Sequence, residues 1–134
     1  MTETYYAGVY WPGRPEPLET YARRAEALFQ RLASTDPSLA TWYEQARSRA
    51  SALNSRFSPD ALSLQQLLTK AKYQIGDGEI SFAAWNGSPD DSSVVNFSCG
   101  SPVPDAVDLC VWTPAARGLL SAQRASQVLK AMVL

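Results

Sequence analysis

The chain has 134 residues, of which 46% are apolar and 19% charged, and its formal net charge is −1. These values predict one globular domain, spanning residues 1–134, with a modest core. No run of about 18 apolar residues is present, and no basic segment followed by an apolar one opens the chain, so neither a membrane helix nor a signal peptide is indicated. We therefore expect a cytoplasmic protein with no membrane partner.

The first predicted strand covers residues 4–11 and is unusually aromatic. Period-two alternation places Trp11 on one face and Tyr10 on the other, among apolar neighbours on both faces. This pattern is typical of an interior strand, so we expect this strand at the centre of a sheet. The proline-rich "PGRPEP" that follows predicts a rigid loop at the rim of the sheet.

Three helices are predicted next. Helical spacing from Leu18 to Leu32 defines the first. Asp36 and Pro37 form a typical start for a second, in which Arg47 and Arg49 would lie on the solvated side. Its predicted inner stripe is Leu39, Trp42, Tyr43, Ala46 and Leu53. The third, capped by Ser58-Pro59 or by Ser63, would bury Leu64, Leu67, Leu68, Ala71 and Ile75.

After a "GDG" turn at 76–78 the apolar period changes from 3.6 to two, which predicts strands at 79–85, 93–100 and 106–112 in an antiparallel meander. A last helix is expected to begin at Thr113-Pro114 and to be clearest from Ala125 to Val133. The predicted fold is α+β, in the order β-α-α-α-β-β-β-α, with an antiparallel sheet of about four strands and helices mainly on one face. Because the chain stops on the apolar "VLKAMVL", we expect the parent protein to continue beyond it.

The two cysteines lie in adjacent predicted strands. Alternation places Cys99 on the inner face, together with Val95 and Phe97. On the next strand it favours Val107, Leu109 and Val111 as the inner residues, which leaves Cys110 pointing away. This register excludes a disulfide, so we expect two reduced cysteines that serve as small apolar side chains.

Charge is distributed unevenly along the chain. Between residues 20 and 72 there are eight basic and four acidic residues, whereas residues 73–116 contain six acids and no Lys or Arg. A segment of this kind favours basic partners and disfavours nucleic acid.

Nothing in the sequence predicts an active site. The chain has no His, the commonest general base and metal ligand, and no phosphate-binding or zinc-protease motif. Asp90 and Asp91 fall in a predicted hairpin loop, where Asp is favoured as a turn former, and Asp77 with Glu79 flank a glycine turn. Cys99 has no base or cation near it in sequence. We therefore expect no catalytic residues, no metal and no cofactor, and a function exerted by binding.

Three motifs resemble one family. "YYAGVYW", "WYEQARSRASAL" (Trp42 to Leu53) and "FAAWNG" (Phe82 to Gly87) are similar, in order and spacing, to the immunity protein 52 family of bacterial polymorphic toxin systems. The resemblance implies a cytoplasmic antitoxin, not an enzyme, that binds and neutralises a cognate toxin. Such toxins typically carry a restriction-endonuclease-like nuclease domain and are often delivered by type VI secretion.

A nuclease must present cations around its phosphate site, so an acidic and aromatic surface suits its inhibitor. The residues predicted to contact the toxin are Tyr10, Arg14, Asp77, Glu79, Trp85, Asn86, Asp90, Asp91 and Asp105, with Trp85 or Tyr10 as a buried anchor. Two alternatives remain open at this point. One is a small carboxylate- or metal-dependent enzyme, and the other is an adaptor subunit completed by another chain.

Overall fold

A computed structural model describes residues 7–13, 15–76, 78–87, 93–100, 107–114 and 130 of the chain. Within these residues the strands are β1 (Ala7–Pro12), β2 (Trp42–Glu44), β3 (Arg56–Phe57), β4 (Gln74–Gly76), β5 (Glu79–Trp85), β6 (Ser93–Cys99) and β7 (Val107–Pro114). The helices in the same ranges are α1 (Leu18–Thr35), α2 (Arg49–Leu53) and α3 (Ala61–Leu68), with 3₁₀ turns at Pro37–Leu39 and Ala71–Tyr73.

The strands form a single antiparallel sheet in the order β1-β7-β6-β5-β2-β3, and β4 pairs with β5. The predicted α+β class and antiparallel sheet are therefore confirmed. The predicted number of strands and the element order differ from the structure, because seven strands are present in the described residues. The three additional strands, β2, β3 and β4, are each two or three residues long.

The aromatic first strand lies at one end of the described sheet, so its predicted central position is wrong. β1 pairs with β7, with Ala7 opposite Trp112. Its two faces differ: Val9 and Trp11 pack against the core, whereas Tyr10 is 53% exposed on the outer face. β1 therefore has aromatic side chains on both faces although only one face is buried. The sequence alternation alone does not show which of the two faces is buried.

Helix α1 supplies one side of the core, as its periodicity predicts. Its buried residues are Tyr21, Ala22, Ala25, Leu28, Phe29 and Leu32. The Phe29 ring lies 5.4 Å from Trp42 and 5.7 Å from Phe57, so the helix is packed against β2 and β3 by aromatic contacts. Helix α3 packs beside α1, and Phe82 of β5 continues the aromatic cluster.

The predicted second helix does not form as one element. Asp36 is a cap, since its Oδ1 accepts a hydrogen bond from the Ser38 N–H at 2.9 Å, but it caps only a 3₁₀ turn. In β2, Trp42 and Glu44 face the core and Tyr43 faces outward. Helix α2 is a separate helix, capped by Ser48. Burial of Trp42 against α1 outweighs the local helical pattern, as tertiary packing commonly does.

The third helix is present but shorter than predicted. Its cap is Asp60, whose Oδ1 accepts from the Ser63 N–H at 2.9 Å, and neither Ser58 nor Ser63 serves as the cap. The helix ends at Leu68, and the following residues, including Ala71 and Ile75, form a 3₁₀ turn and β4. Ile75 is 55% exposed, so pairing with β5 replaces helical burial at this point.

The strands β5, β6 and β7 form the predicted meander, but the phase of β7 is opposite to the prediction. Asp108, Cys110 and Trp112 face the core, and Leu109 and Val111 face outward. Trp112 lies opposite Val95. Burial of its large ring removes more apolar area from water than burial of valines in the predicted orientation of the strand would.

Both cysteines are free and buried, so their predicted use as reduced apolar side chains is confirmed although Cys110 points inward. Strand β7 runs through Pro114, where the last helix was expected to begin. Apart from residue 130, which is helical, the predicted last helix lies outside the described residues.

Candidate binding surface

The structure describes four of the nine predicted contact residues: Tyr10, Glu79, Trp85 and Asn86. The other five lie outside the described residues; these are Arg14, Asp77, Asp90, Asp91 and Asp105. The geometry of the predicted surface is therefore defined by one exposed tyrosine, one half-buried glutamate, one half-buried tryptophan and one buried asparagine.

The two predicted aromatic anchors lie far apart on the outer face of the sheet. Tyr10 is opposite Leu109, in the cross-strand row that continues to Ser98 and Ser81. Trp85 lies four residues further along β5 than Ser81 and three strands away from β1. Standard strand spacings place the two aromatic residues on the order of 20 Å apart, so they do not form one cluster.

Asn86 has a structural position in the hairpin that joins β5 to β6. Its Nδ2 donates to the Ser38 carbonyl at 2.9 Å, and its Oδ1 accepts from the Ser93 N–H at 2.8 Å. The side chain is 5% exposed. Asn86 therefore connects the end of β5, directly after Trp85, to the 3₁₀ turn at Pro37–Leu39.

The described strands of the acidic segment present little acidic surface. Asp108 is 1% exposed and faces the core, and Glu79 is half-buried at the start of β5. Uncharged side chains occupy the rest of the outer face of β5, β6 and β7, namely Ser81, Ala83, Trp85, Val94, Asn96, Ser98, Leu109, Val111 and Thr113. An acidic surface in this segment would thus depend on residues outside the described ranges.

A cluster that the sequence did not predict lies at the β3 end of the outer face. Tyr43 is opposite Trp85 on one side and Arg56 on the other, so the three side chains share one face and one cross-strand row. The Tyr43 and Trp85 ring centroids are 6.1 Å apart, and the Arg49 guanidinium carbon is 5.9 Å from the Trp85 centroid. We call these four residues, Tyr43, Arg49, Arg56 and Trp85, the basic-aromatic corner.

Backbone geometry holds the Tyr43 ring in this corner. Gly87 has φ +74°, and a Cβ at this position would overlap the Tyr43 ring. The ring therefore packs directly on the Gly87 backbone, which a larger residue would prevent. Trp85 was predicted as a contact residue, whereas Tyr43 and Arg49 were assigned to one long helix, of which Tyr43 is instead in β2 and Arg49 in the short helix α2.

A second polar cluster lies on the inner side of the same strand. The Glu44 carboxylate is buried and accepts hydrogen bonds from Tyr73 Oη at 2.6 Å and from Lys70 Nζ at 3.0 and 3.2 Å. Lys72 Nζ is 3.4 Å away. Burial opposes ionisation, but the hydrogen bonds from Tyr73 and Lys70 and the two lysine charges outweigh it and lower the pKa of Glu44. This Glu44 cluster is a structural network in which both carboxylate oxygens accept hydrogen bonds from neighbouring side chains.

The thiols lie beside a small cavity of about 40 Å³, between α1 and the sheet, that is lined by Trp11, Arg24, Cys99 and Cys110 among others. Burial raises the pKa of each thiol to about 12, so both are protonated at neutral pH and neither is an activated nucleophile. In the described ranges, no three potential metal ligands of the His, Cys, Asp and Glu types are grouped together.

The fold and this surface define a small α+β protein whose outer sheet face carries the half-buried aromatic pair Tyr43 and Trp85. The family model of Immunity protein 52 matches residues 3–134, so the chain belongs to that family, as its motifs predict. The family description indicates an immunity protein, whose implied partner is a cognate toxin protein. No curated protein matches the chain significantly. Among the described helices, none is long and apolar enough to cross a membrane.

Proposed function

We propose that this protein is the cytoplasmic antitoxin of an interbacterial toxin system, and that it neutralises a cognate nuclease toxin by binding it. The observation that carries the proposal is the family match, which extends over residues 3–134. In this proposal the toxin is delivered between cells, for example by type VI secretion. The producing cell survives because its own copy of the toxin is held in an inactive complex.

The chemistry of the chain supports a binding function. It has no His, so a general base at neutral pH would have to be a carboxylate or another group with a strongly shifted pKa. Both buried thiols are protonated. The buried Glu44 carboxylate joins β2 to the Ala71–Tyr73 turn, so its contacts are accounted for by the fold.

We further propose that the toxin contacts an acidic and aromatic surface. Its members are Tyr10, Arg14, Asp77, Glu79, Trp85, Asn86, Asp90, Asp91 and Asp105. Partial exposure of Trp85 and 53% exposure of Tyr10 support anchoring roles for these two residues. The acids would compete with the nucleic-acid phosphates for the cations of the toxin. Asn86 would act through the hairpin that it holds, since its side chain is buried.

Coexpression tests the proposal. The toxin encoded by the neighbouring gene is induced in a test bacterium with or without this chain, and growth and plasmid DNA integrity are followed. We expect this chain to restore growth, to protect the DNA and to copurify with the toxin. Continued killing and no copurification, with the chain present in folded form, would contradict the proposal.

Charge reversal tests the acidic contact. Asp90→Lys with Asp91→Lys should weaken the complex about tenfold or more and flatten its salt dependence, if these carboxylates face toxin cations. Glu19→Lys is the matched control, because Glu19 is exposed on α1, away from the outer face of the sheet. Equal loss of affinity in both variants would show a general charge effect and would contradict the specific contact.

A further inference from the structure

We infer that the basic-aromatic corner, Tyr43, Arg49, Arg56 and Trp85, receives an acidic segment of the toxin that also carries an apolar side chain. This inference rests on the proposed function and adds a second contact of opposite charge to the acidic surface described above. It follows from three properties of the corner: the exposure of its arginines, the lack of a carboxylate partner for them among the described residues, and its aromatic walls.

The guanidinium groups of the corner have no carboxylate partner among the described residues. Arg49 and Arg56 are both exposed, and none of the salt bridges found in the described ranges includes either of them. Glu44 lies beside Tyr43 in sequence, but it points inward and is neutralised by Lys70 and Lys72. The corner therefore carries two positive charges that nothing nearby in the described structure compensates.

Stacking prepares Arg49 for an anion. Its guanidinium carbon lies 5.9 Å from the Trp85 ring centroid, a cation–π distance. A stacked guanidinium keeps its N–H donors for other partners, and its planar fork matches a carboxylate. The Trp85 ring limits the conformations of Arg49, so a carboxylate that binds there loses less side-chain entropy than at an isolated surface arginine.

The aromatic walls specify an apolar neighbour for that carboxylate. Tyr43 and Trp85 are half-buried with ring centroids 6.1 Å apart, and the next residue in their row is Val94 of β6. Trp, Tyr and Arg are the residue types that most often dominate protein interfaces. An acidic residue next to an aliphatic or aromatic one, on the toxin, would satisfy both halves of the corner.

The charge balance favours a protein segment over nucleic acid. Nucleic-acid sites align cations along a phosphate backbone, whereas the segment that contributes Trp85 to this corner, residues 73–116, contains six acids and no Lys or Arg. Opposite charges on neighbouring parts of one interface fix the orientation of a partner. The corner would therefore orient the toxin against the hairpin that begins after Trp85.

The test is calorimetric titration of the full chain with a catalytically inactive variant of the toxin from the neighbouring gene. Arg49→Glu and Arg56→Glu should each weaken binding by about 30-fold, the range of an interface hot spot. Arg49→Lys, which keeps the charge but loses the planar stack, should fall between wild type and Arg49→Glu. The matched control, Arg23→Glu on α1, should remain within about twofold of wild type. Both arginines of the corner are exposed, and circular dichroism checks that each variant is folded.

Each outcome has one meaning. If wild type binds the toxin and both corner variants bind within about twofold of it, the inference is wrong and the proposed function stands. If wild type does not bind the toxin, both fail. If wild type binds a fluorescent single-stranded DNA probe and Arg49→Glu abolishes that binding, the corner is a nucleic-acid site and the inference is overturned.

Discussion

The Glu44 cluster provides a quantitative test of how the short strand β2 is held in place. Glu44→Gln keeps the size of the side chain but removes its charge. It weakens the 2.6 Å hydrogen bond from Tyr73 Oη, worth about 1.5–3 kcal/mol with a charged acceptor. Lys70 and Lys72 are about half exposed, at 48% and 55%, so their ion pairs add less than about 1 kcal/mol. Because the neutral amide still accepts a weaker hydrogen bond, we expect a loss of about 1–2 kcal/mol, or roughly 5 °C in melting temperature.

Urea unfolding followed by tryptophan fluorescence measures this loss, and a double-mutant cycle locates it. Tyr73→Phe alone should cost about 1–2 kcal/mol. The double variant should cost about 1 kcal/mol less than the sum of the two, because both changes act on the same hydrogen bond. If the losses of the two single variants add up to that of the double variant within about 0.5 kcal/mol, Glu44 and Tyr73 act independently. That result would contradict the stabilising role assigned to their hydrogen bond.

The stability difference between wild type and Glu44→Gln is also expected to depend on pH. Hydrogen bonds and lysine charges hold the pKa of Glu44 below the value of 4.5 expected for an unperturbed Glu. Its contribution to stability is therefore complete above the unfolded pKa and is lost as pH falls through the lower, folded pKa. The stability difference between wild type and Glu44→Gln should shrink on acidification. A difference that stays constant from pH 7 to pH 3 would contradict the assigned role.

Three further predictions concern residues in or next to β5, β6 and β7. Asn86→Ala removes two hydrogen bonds made by a buried side chain and should cost about 2–3 kcal/mol in urea unfolding. A loss below about 0.5 kcal/mol would contradict its role in connecting β5 to the 3₁₀ turn. Gly100→Ala should destabilise the protein more than Gly78→Ala. Both glycines have a positive φ, but a Cβ at Gly100 would clash with the Gly78 carbonyl, and a Cβ at Gly78 would meet open space. Cys99 and Cys110 should react with a thiol reagent at neutral pH only after unfolding, and rapid native-state labelling would contradict their burial.

Elements with a long, unambiguous period could be predicted from the sequence. Helix α1 has four turns of apolar spacing, and β5 and β6 alternate cleanly, so local pattern and burial agree there. The segment from Leu39 to Phe57 could not be predicted in the same way. Leu39, Trp42 and Tyr43 fit a helical stripe, but packing of Trp42 against α1 decides for a strand.

The phase of β7 and the basic-aromatic corner depended on information that the sequence pattern does not contain. Both faces of β7 are largely apolar, so its orientation follows from the pairing of Trp112 with Val95. Sheet pairing brings the corner's Tyr43, Arg56 and Trp85 into one row across β2, β3 and β5, and Arg49 joins them from α2. Trp85 was predicted as a contact residue because tryptophan commonly anchors protein interfaces, but Tyr43 and Arg49 were assigned to one long helix.

DNA cleavage by the purified toxin, followed during titration with the purified chain, tests most directly whether this protein neutralises a nuclease by forming a complex with it, as we propose. We expect cleavage to fall linearly and to stop at one equivalent, with the chain unchanged at the end. Full cleavage in the presence of excess folded chain would contradict it.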